Sequence, residues 1–182
     1  MIIKRIDEDI SLKQLEKEDA IFLFELVNSN REYLKKWLPW LDTNKTIQDT
    51  EKFINISTEK YNGNKGFELG IWLKNEIVGV IGIHEINWDK GQTAIGYWIG
   101  EKYQGKGLVS KSVKFILDYC FTELELKKVY IRAAIQNTKS RNIPERLGFK
   151  FEGVRELAEN LYGNIVDHSV YSITFEDYKK EN

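Results

Sequence analysis

The feature that most constrains this chain is a change of apolar period across a loop that contains glycine. Before the loop, Thr93–Ile99 is predicted to be a strand. After it, apolar residues recur at steps of four, three and one, which is the pattern of one helix face. Those residues are Val109, Val113, Ile116, Leu117, Cys120 and Phe121. The fold must therefore contain a strand, a tight turn and a helix in immediate succession.

The loop itself, Gly100-Glu-Lys-Tyr-Gln-Gly-Lys-Gly-Leu-Val-Ser110, predicts a phosphate site. Gly105 and Gly107 allow the backbone to turn sharply and to approach a ligand closely. The helix that begins near Leu108 adds unpaired N–H donors and roughly half a positive charge. Together these features form a site for phosphate that requires no cation. A plain strand–helix turn without a ligand explains the loop alone equally well.

Two nucleotide motifs fit the loop poorly. Gly100–Lys106 matches the first seven positions of the phosphate loop G-x-x-x-x-G-K-[ST], but Gly107 replaces the hydroxyl residue that binds Mg²⁺. The dinucleotide fingerprint fails as well, because Leu-Val-Ser110 follows Gly107 where a third glycine is required. A nucleotide hydrolase and a dinucleotide-binding enzyme are therefore disfavoured.

The rest of the chain predicts a mixed sheet. Phe67–Leu73 and Ile77–Ile83 flank a short turn and form a hairpin, whereas strands and helices alternate after the glycine loop. The segment Thr46-Ile-Gln-Asp49 has the form of a capping box at a helix start. We expect an α/β (α+β) fold with a mixed central sheet of about seven strands and helices on both faces. With 182 residues, of which 42% are hydrophobic, residues 1–182 are expected to form a single domain.

Charge and cysteine content exclude several classes of protein. The net charge of −1 argues against a generic nucleic-acid binder. One cysteine, Cys120, precludes an intramolecular disulfide or a cysteine-based metal cage, and no metal site is expected. No apolar run approaches the ~20 residues that span a bilayer, and the N-terminal residues lack a signal-peptide pattern. We expect a cytoplasmic protein without a membrane partner.

The second half of the chain carries motifs that together resemble the GNAT N-acetyltransferase superfamily, and within it the RimJ/RimL group that acetylates protein N-termini. The motifs are Ile95-Gly-Tyr-Trp-Ile99, Gln104-Gly-Lys-Gly107, Asn137-Thr-Lys-Ser140, Leu147-Gly-Phe149, Glu152-Gly-Val-Arg155 and Asp167-His-Ser-Val-Tyr171. Weaker similarity reaches back to Leu12. One position departs from the family pattern, because Val109 stands where the family has Gly or Ala.

The resemblance implies acetyl-coenzyme A as cosubstrate and assigns the residues that hold it. The backbone N–H groups of Gln104 to Val109 would cradle the pyrophosphate. A bulged strand at Trp98–Ile99 would lie beside the pantetheine arm and direct an N–H group at the thioester oxygen. The side chain of Asn137 would reach the same arm, or serve only as a helix cap. The full predicted set is Trp98, Ile99, Gln104, Gly105, Lys106, Gly107, Leu108, Val109, Asn137 and Ser140.

The same resemblance proposes two catalytic groups. Glu159, placed just after a strand over Phe149–Ala158, is the candidate general base, and Ser140 is the candidate proton donor to the leaving thiolate. Each has a plainer interpretation, as a solvated loop acid and as a first-turn helix hydroxyl. His84 with Glu85 forms a rival base.

Pro144 stands where many relatives in the superfamily place a tyrosine general acid. Because proline has no N–H, we expect a kink over residues 140–144 that leaves the Ser140 carbonyl free for a ligand or water. Cys120 lies on the apolar helix face and is expected to be core, which disfavours a covalent acetyl-cysteine mechanism. Trp37, Trp40 and Trp88 are expected to wall the acceptor cleft, bury a subunit interface or belong to the core.

The expected function is transfer of an acetyl group to a primary amine by direct attack in a ternary complex. The N-terminal α-amine of a protein, such as a ribosomal protein, is the leading acceptor. Small amines such as a polyamine or an aminoglycoside form one alternative, and a non-catalytic coenzyme A-binding module forms another. A cationic acceptor would need clustered carboxylates, and the sequence does not show whether Asp42, Asp49, Glu51, Glu68 and Glu85 meet. A homodimer is expected from the resemblance alone.

Overall fold

A computed structural model describes residues 3–181 and shows one mixed sheet of eight strands. The strands lie in the order β1-β2-β3-β4-β5-β6-β8-β7. Only β5 and β6 pair in parallel, and every other neighbouring pair is antiparallel. The strands are β1 (Ile3–Arg5), β2 (Ile10–Gln14), β3 (Phe67–Leu73), β4 (Glu76–Ile83), β5 (Gln92–Ile99), β6 (Lys128–Ala134), β7 (Lys150–Leu161) and β8 (Asn164–Thr174).

The helices fill the connections between these strands. They are α1 (Ala20–Ser29), α2 (Arg31–Lys35), α3 (Ile47–Asn62), α4 (Leu108–Thr122), α5 (Thr138–Arg146) and α6 (Phe175–Glu181). The capping box predicted at the start of α3 is confirmed, because the Thr46 side chain accepts from the Asp49 amide while Asp49 accepts from the Thr46 amide. Within residues 3–181 no helix is long and apolar enough to cross a membrane.

Helices cover both faces of the sheet, as the sequence predicts. On one face, Gly100 at the end of β5 approaches the Leu26 side chain of α1. On the opposite face, Phe67 of β3 packs edge-on against Tyr119 of α4, with ring centroids 5.6 Å apart. The expected mixed α/β architecture is confirmed, with eight strands in the described part of the chain rather than about seven.

The central parallel pair of strands separates at one end. Pairing between β5 and β6 runs from Gln92 opposite Lys128 to Ile95 opposite Ile131 and then stops. Both strands continue, β5 to Ile99 and β6 to Ala134. The backbone of Gly96–Ile99 therefore has no strand partner on its β6 side, and a gap opens in the middle of the sheet.

The edge hairpin of β7 and β8 contains an irregularity that shapes the cleft. Arg155 pairs with His168, whereas Glu159 pairs with Val166, so β7 carries two more residues than β8 over this interval. Within the bulge, Leu157 adopts φ = 49° and its amide donates to Asp167 Oδ1 at 2.8 Å. Bulges re-aim side chains and often occur beside active sites. The expectation that Glu159 follows the strand is wrong, because β7 continues to Leu161.

Candidate functional site

A cleft of about 1350 Å³ crosses the molecule where β5 and β6 separate. Its walls come from α1–α3 and the loops between them, from the open ends of both strands, from the glycine loop and the first turn of α4, and from the β7–β8 hairpin. Every residue of the predicted cofactor set lines this cleft, and so do the two leading catalytic candidates, Ser140 and Glu159. The fold therefore brings site residues from Trp98 to Glu159 into one cavity.

The glycine loop presents a row of backbone donors to this cleft. Gly105 and Gly107 both adopt φ = 73°, a left-handed conformation that favours glycine. A Cβ atom at either position would meet no protein atom within 4 Å, so both face open space. Among the described residues, the amides from Gly105 to Val109 have no hydrogen-bond acceptor. Successive unpaired amides at a helix N-terminus form a concave anion site, and this one fits a diphosphate.

Gln104 supports the loop through its side chain. Its amide nitrogen donates to the Tyr33 hydroxyl, and its Oε1 accepts from Lys139 Nζ at 2.7 Å. Its backbone N–H donates to the Glu101 carbonyl at 3.3 Å. Because that amide is already occupied, the row of unpaired amides begins at Gly105, one residue later than the cradle predicted from Gln104 to Val109.

Three cations flank the cradle. Lys139 is held beside Gln104, and the Arg146 guanidinium donates to Ser110 Oγ at 3.3 Å. Lys106 lies within the loop itself, with its ammonium 5.5 Å from the Tyr103 ring centroid. All three are exposed. The local charge is therefore positive where a diphosphate would lie.

The strand gap adds donors directed at the middle of the cleft. His84 N–H bonds to the Ala94 carbonyl and Gly100 N–H bonds to the Val78 carbonyl, so the even-numbered residues of β5 direct their backbone groups at β4. The Tyr97 and Ile99 amides consequently face the gap. Of the predicted pair Trp98–Ile99, only Ile99 offers a free N–H. The expected bulge is wrong, because the β4–β5 register is regular and the gap arises where β5–β6 pairing ends.

Ser140 is held in the first turn of α5 by two contacts. Asn137 caps the helix, its Oδ1 accepting from the Ser140 amide at 3.2 Å. The Tyr97 hydroxyl donates to the Ser140 carbonyl at 2.9 Å. The kink expected at residues 140–144 is wrong, since α5 runs from Thr138 to Arg146 without interruption. The carbonyl that Pro144 deprives of an amide is not free but bonded to Tyr97.

Burial holds the pKa of the Tyr97 hydroxyl above its usual range, so it remains a donor at every physiological pH. The Ser140 Oγ has no hydrogen-bond partner among the described residues and lies in the cleft wall. Its hydroxyl can therefore serve a bound ligand. The position of that hydroxyl depends on two side chains, Tyr97 and Asn137, that belong to different elements.

Across the cleft, Glu159 forms a pair with His168. Glu159 Oε2 lies 3.3 Å from His168 Nε2, and the two side chains are 29% and 16% exposed. The bulge in β7 places Glu159 opposite Val166, two residues from His168 on β8. A carboxylate beside an imidazole can accept a proton from an amine. Sequence reasoning missed His168 in this role, although it lies within the Asp167–Tyr171 motif.

Of the two residues of the rival base, only His84 lies in the cleft. His84 lines the cleft beside Gly96, where a Cβ atom would lie 2.8 Å from His84 Nε2. Glu85 does not line it. The surrounding protein keeps water from part of the imidazole, which holds the pKa of His84 below its ordinary value. Glu68, on the neighbouring strand, opposes that shift.

Aromatic residues form one wall of the part of the cleft that contains Glu159 and His168, which we call the acceptor half. Trp40 and Trp98 pack with ring centroids 6.1 Å apart, and Trp37 lies beside them in the cleft lining. The Tyr162 hydroxyl accepts from the Leu41 amide at 3.0 Å and donates to the Leu38 carbonyl at 2.7 Å. This fastens the aromatic segment to the β7–β8 hairpin. Trp88 lies outside the cleft and is 50% exposed.

Cys120 is fully buried in α4, as predicted for a core residue. Burial raises the pKa of its thiol to about 12, which removes the thiolate that a nucleophile requires. Among the described residues, no group of three His, Cys, Asp or Glu side chains is arranged to hold a metal ion.

Comparison with known proteins identifies the fold and the chemistry. Residues 9–150 match the family model described as an acetyltransferase (GNAT) domain. YdaF of Bacillus subtilis strain 168, provisionally named a ribosomal N-acetyltransferase, is 34% identical over the full length of both chains. The ribosomal-protein-serine acetyltransferase of Escherichia coli K12 is 25% identical over 90% of this chain and 96% of its own. A Vibrio cholerae spermidine N(1)-acetyltransferase is 28% identical over 87% and 88%.

Solved structures of acetyltransferases share this fold. The microcin C7 self-immunity acetyltransferase MccE, in complex with acetyl-CoA and AMP, superposes with a TM-score of 0.88 at 31% identity, covering 93% of this chain and 94% of that one. RimL, a ribosomal L7/L12 α-N-protein acetyltransferase in complex with coenzyme A, gives a TM-score of 0.92 over 97% and 99%. At 23% identity this second likeness concerns the fold alone.

Proposed function

This chain belongs to the GNAT acetyltransferase family, and we propose that the amine it acetylates is the N-terminal α-amino group of a protein, with a ribosomal protein as the leading acceptor. The enzyme is an acetyl-coenzyme A-dependent N-acetyltransferase. Two relatives are named as acetyltransferases of ribosomal proteins, which supports a ribosomal protein as the acceptor.

One observation carries the choice of an α-amine. The carboxylates that line the cleft are Asp49, Glu68 and Glu159; each has a partner at one oxygen, and the second oxygen of Glu68 is buried without one. Asp49 caps α3, Glu68 accepts from Lys60 at 3.2 Å, and Glu159 pairs with His168. A polyamine carries several positive charges and needs free carboxylates, whereas an α-amine needs only one group to take its proton. The α-amine has a pKa of about 8, against about 10.4 for lysine, so little assistance suffices.

When bound, acetyl-coenzyme A supplies the acetyl group as a reactive thioester. The amides from Gly105 to Val109 would hold its diphosphate, and the Ile99 N–H, which faces the strand gap, would donate to the thioester oxygen. The Glu159–His168 pair accepts the proton of the amine. As the amine nitrogen bonds to the acetyl carbon and the C–S bond breaks, Ser140 Oγ would protonate the leaving thiolate and regain its proton from solvent. Asn137 and Tyr97 position Ser140. Binding of both substrates in one cleft brings the amine and the thioester together.

An acceptor panel tests the assignment. Release of coenzyme A thiol is measured with a peptide that has a free N-terminus, with the same peptide formylated at its N-terminus but retaining an internal lysine, and with spermidine. We expect turnover only on the free peptide. Equal turnover on the formylated peptide would assign the lysine side chain, and turnover on spermidine alone would assign the small-amine class.

We also propose that the enzyme forms a homodimer. The β7–β8 hairpin at the sheet edge exposes large apolar side chains, among them Leu157 at 76% and Phe151 and Ile165 at 57%. Exposed apolar groups at a strand edge favour association. Analytical ultracentrifugation that detects only the monomer at micromolar concentration would contradict this.

A cytoplasmic location and a single domain over residues 1–182 complete the proposal. The unpaired, buried Cys120 suits a reducing compartment. The single hydrogen-bonded sheet runs from Ile3 to Thr174, which supports one folding unit. One cooperative unfolding transition, coincident by circular dichroism and tryptophan fluorescence, is the expected result. Two separate transitions would contradict the single domain.

A further inference from the structure

Two arginines in the acceptor half of the cleft have charges that the protein does not neutralise. Arg132 of β6 and Arg155 of β7 both line the cleft and both are exposed. Among residues 3–181 neither guanidinium has a hydrogen-bond acceptor or a carboxylate at ion-pair distance, although Arg132 lies 5.7 Å from the Tyr130 ring centroid. Each cleft carboxylate, by contrast, has a lysine ammonium or an imidazole within 4 Å of one oxygen. Arg132 and Arg155 therefore leave positive charge in the acceptor half that no residue among 3–181 neutralises.

The strand registers place these arginines on one face. Arg132 pairs with Val170 of β8, and Arg155 pairs with His168, two residues further along the same strand. Side chains two apart in a strand share a face. Arg132, His168 and Arg155 thus lie on the same side of the sheet, with β8 between the two arginines. At ~4.8 Å per strand spacing and ~3.3 Å per residue, the arginine Cα atoms are roughly 12 Å apart.

These charges are separate from those that serve the diphosphate. Lys106, Lys139 and Arg146 belong to the loop and helix on the donor side, where Lys139 and Arg146 contact Gln104 and Ser110. Arg155 instead is the direct cross-strand neighbour of His168, the partner of Glu159. An anion bound by Arg155 and Arg132 would therefore be part of the acceptor.

We propose that Arg132 and Arg155 recognise an acidic segment that follows the N-terminal amine of the acceptor, so that the preferred substrate is a protein whose first residues include Asp or Glu. The proposal rests on the α-amine function above and narrows it. With the amine at Glu159–His168, an extended chain rising ~3.4 Å per residue carries the side chains of about the second to fourth residues past both guanidiniums.

The spacing favours a peptide over a single phosphate group. Arginine binds carboxylate through paired N–H donors, and two carboxylates on an extended chain can each meet one arginine. One phosphate would require both guanidiniums to converge across the intervening strand. The aromatic wall of Trp37 and Trp40 provides an apolar surface for the rest of such a chain.

Peptide kinetics test the proposal. kcat/KM is measured at fixed ionic strength for three peptides that share an N-terminal serine and differ at positions two to four: glutamates, glutamines or lysines. The wild type is compared with Arg132→Gln, Arg155→Gln and the double variant Arg132→Glu/Arg155→Glu. Lys114→Gln, which removes the same charge from an exposed position of α4 outside the cleft, is the matched control.

We expect the wild type to prefer the glutamate peptide over the glutamine peptide by at least about tenfold, mainly through KM. Each single variant should lose most of this preference, and the double charge reversal should favour the lysine peptide. Lys114→Gln should behave as wild type. Equal kcat/KM on all three peptides overturns the acidic-segment proposal while leaving α-amine acetylation intact. Turnover on spermidine but on none of the peptides overturns the α-amine function itself.

A nucleotide conjugate is the competing acceptor. An aminoacyl phosphoramidate of AMP, assayed alongside, should be a poorer substrate than the glutamate peptide, and its rate should not depend on Arg132. A higher kcat/KM on this compound, lost in Arg132→Gln and Arg155→Gln, would replace the acidic peptide by a phosphate-bearing acceptor and so overturn the proposal.

Discussion

The hydroxyl of Tyr97 donates a hydrogen bond to the backbone carbonyl of Ser140 at 2.9 Å, across the gap between β5 and α5. In a regular helix that carbonyl would accept from the amide of residue 144, but Pro144 has none. A side chain from β5 thus completes the hydrogen bonding of the helix that carries the proposed proton donor. The position of Ser140 therefore depends on Tyr97, which lies in the part of β5 that no longer pairs with β6.

The first prediction concerns this coupling. Tyr97→Phe leaves the Ser140 carbonyl without a donor, and we expect it to lower the free energy of unfolding by about 1–3 kcal/mol and to reduce kcat. Pro144→Ala restores an amide for the same carbonyl. In a double-mutant cycle by urea denaturation, Tyr97→Phe should therefore cost less in the Pro144→Ala background. An equal cost in both backgrounds would show that the two groups are not coupled.

The second prediction concerns the cradle. Gly107→Ala adds a methyl group that faces open cleft, and we expect it to raise the Kd for coenzyme A at least about tenfold by titration calorimetry. The left-handed φ also costs stability, about 1–2 kcal/mol. Gly163→Ala is the matched control, because Gly163 has φ = 91° and equally open surroundings in the β7–β8 turn. If both variants bind coenzyme A as the wild type does, the cradle lies elsewhere.

The third prediction concerns the proton acceptor. Glu159→Gln keeps the size of the side chain but removes its basicity, so we expect kcat to fall about 100-fold with the Kd for coenzyme A unchanged. Glu156→Gln provides the control, since Glu156 is exposed on the same strand and lies outside the cleft. Unchanged turnover in Glu159→Gln would remove this carboxylate from the mechanism.

The fourth prediction concerns pH. The surrounding protein holds the pKa of His84 below 6.5, its ordinary value, mainly by desolvation, while Lys60 and Arg132 act in the same direction and Glu68 opposes them. An NMR titration should give a His84 midpoint below 6.5. The unfolded chain then binds the proton more readily, so folding stability contributed by neutral His84 is complete above 6.5 and is lost as the pH falls. His84→Gln should lack this part of the pH dependence; a midpoint above 6.5 would contradict the assignment.

Features determined by neighbouring residues could be predicted from the sequence. The capping box of Thr46 and Asp49, the cap at Asn137 and the turn at Gly105 and Gly107 each depend on a few consecutive residues, and all lie where the pattern indicates. The change from period two to a helical face likewise predicts β5 and α4. Such signals need no knowledge of tertiary contacts.

Features determined by distant residues could not be predicted. The pairing of Glu159 with His168 depends on two extra residues in β7, and a bulge has no dependable signal in one sequence. The sequence predicts a free Ser140 carbonyl because Pro144, four residues further on, has no amide to donate. It does not predict the hydrogen bond from Tyr97, because only the fold brings that distant residue to α5. The same limit applies to Arg132 and Arg155, whose shared face follows only from the strand registers.

The most direct test of the central claim is the position of the acetyl group in a product. A peptide with a free N-terminal serine, acidic residues after it and an internal lysine is incubated with acetyl-coenzyme A and the enzyme, and the product is fragmented by tandem mass spectrometry. The account predicts a single acetyl group on the N-terminal nitrogen, formed about 100-fold more slowly with Glu159→Gln under the same conditions. An acetyl group on the lysine nitrogen, or no enzyme-dependent acetylation of the peptide, would contradict it.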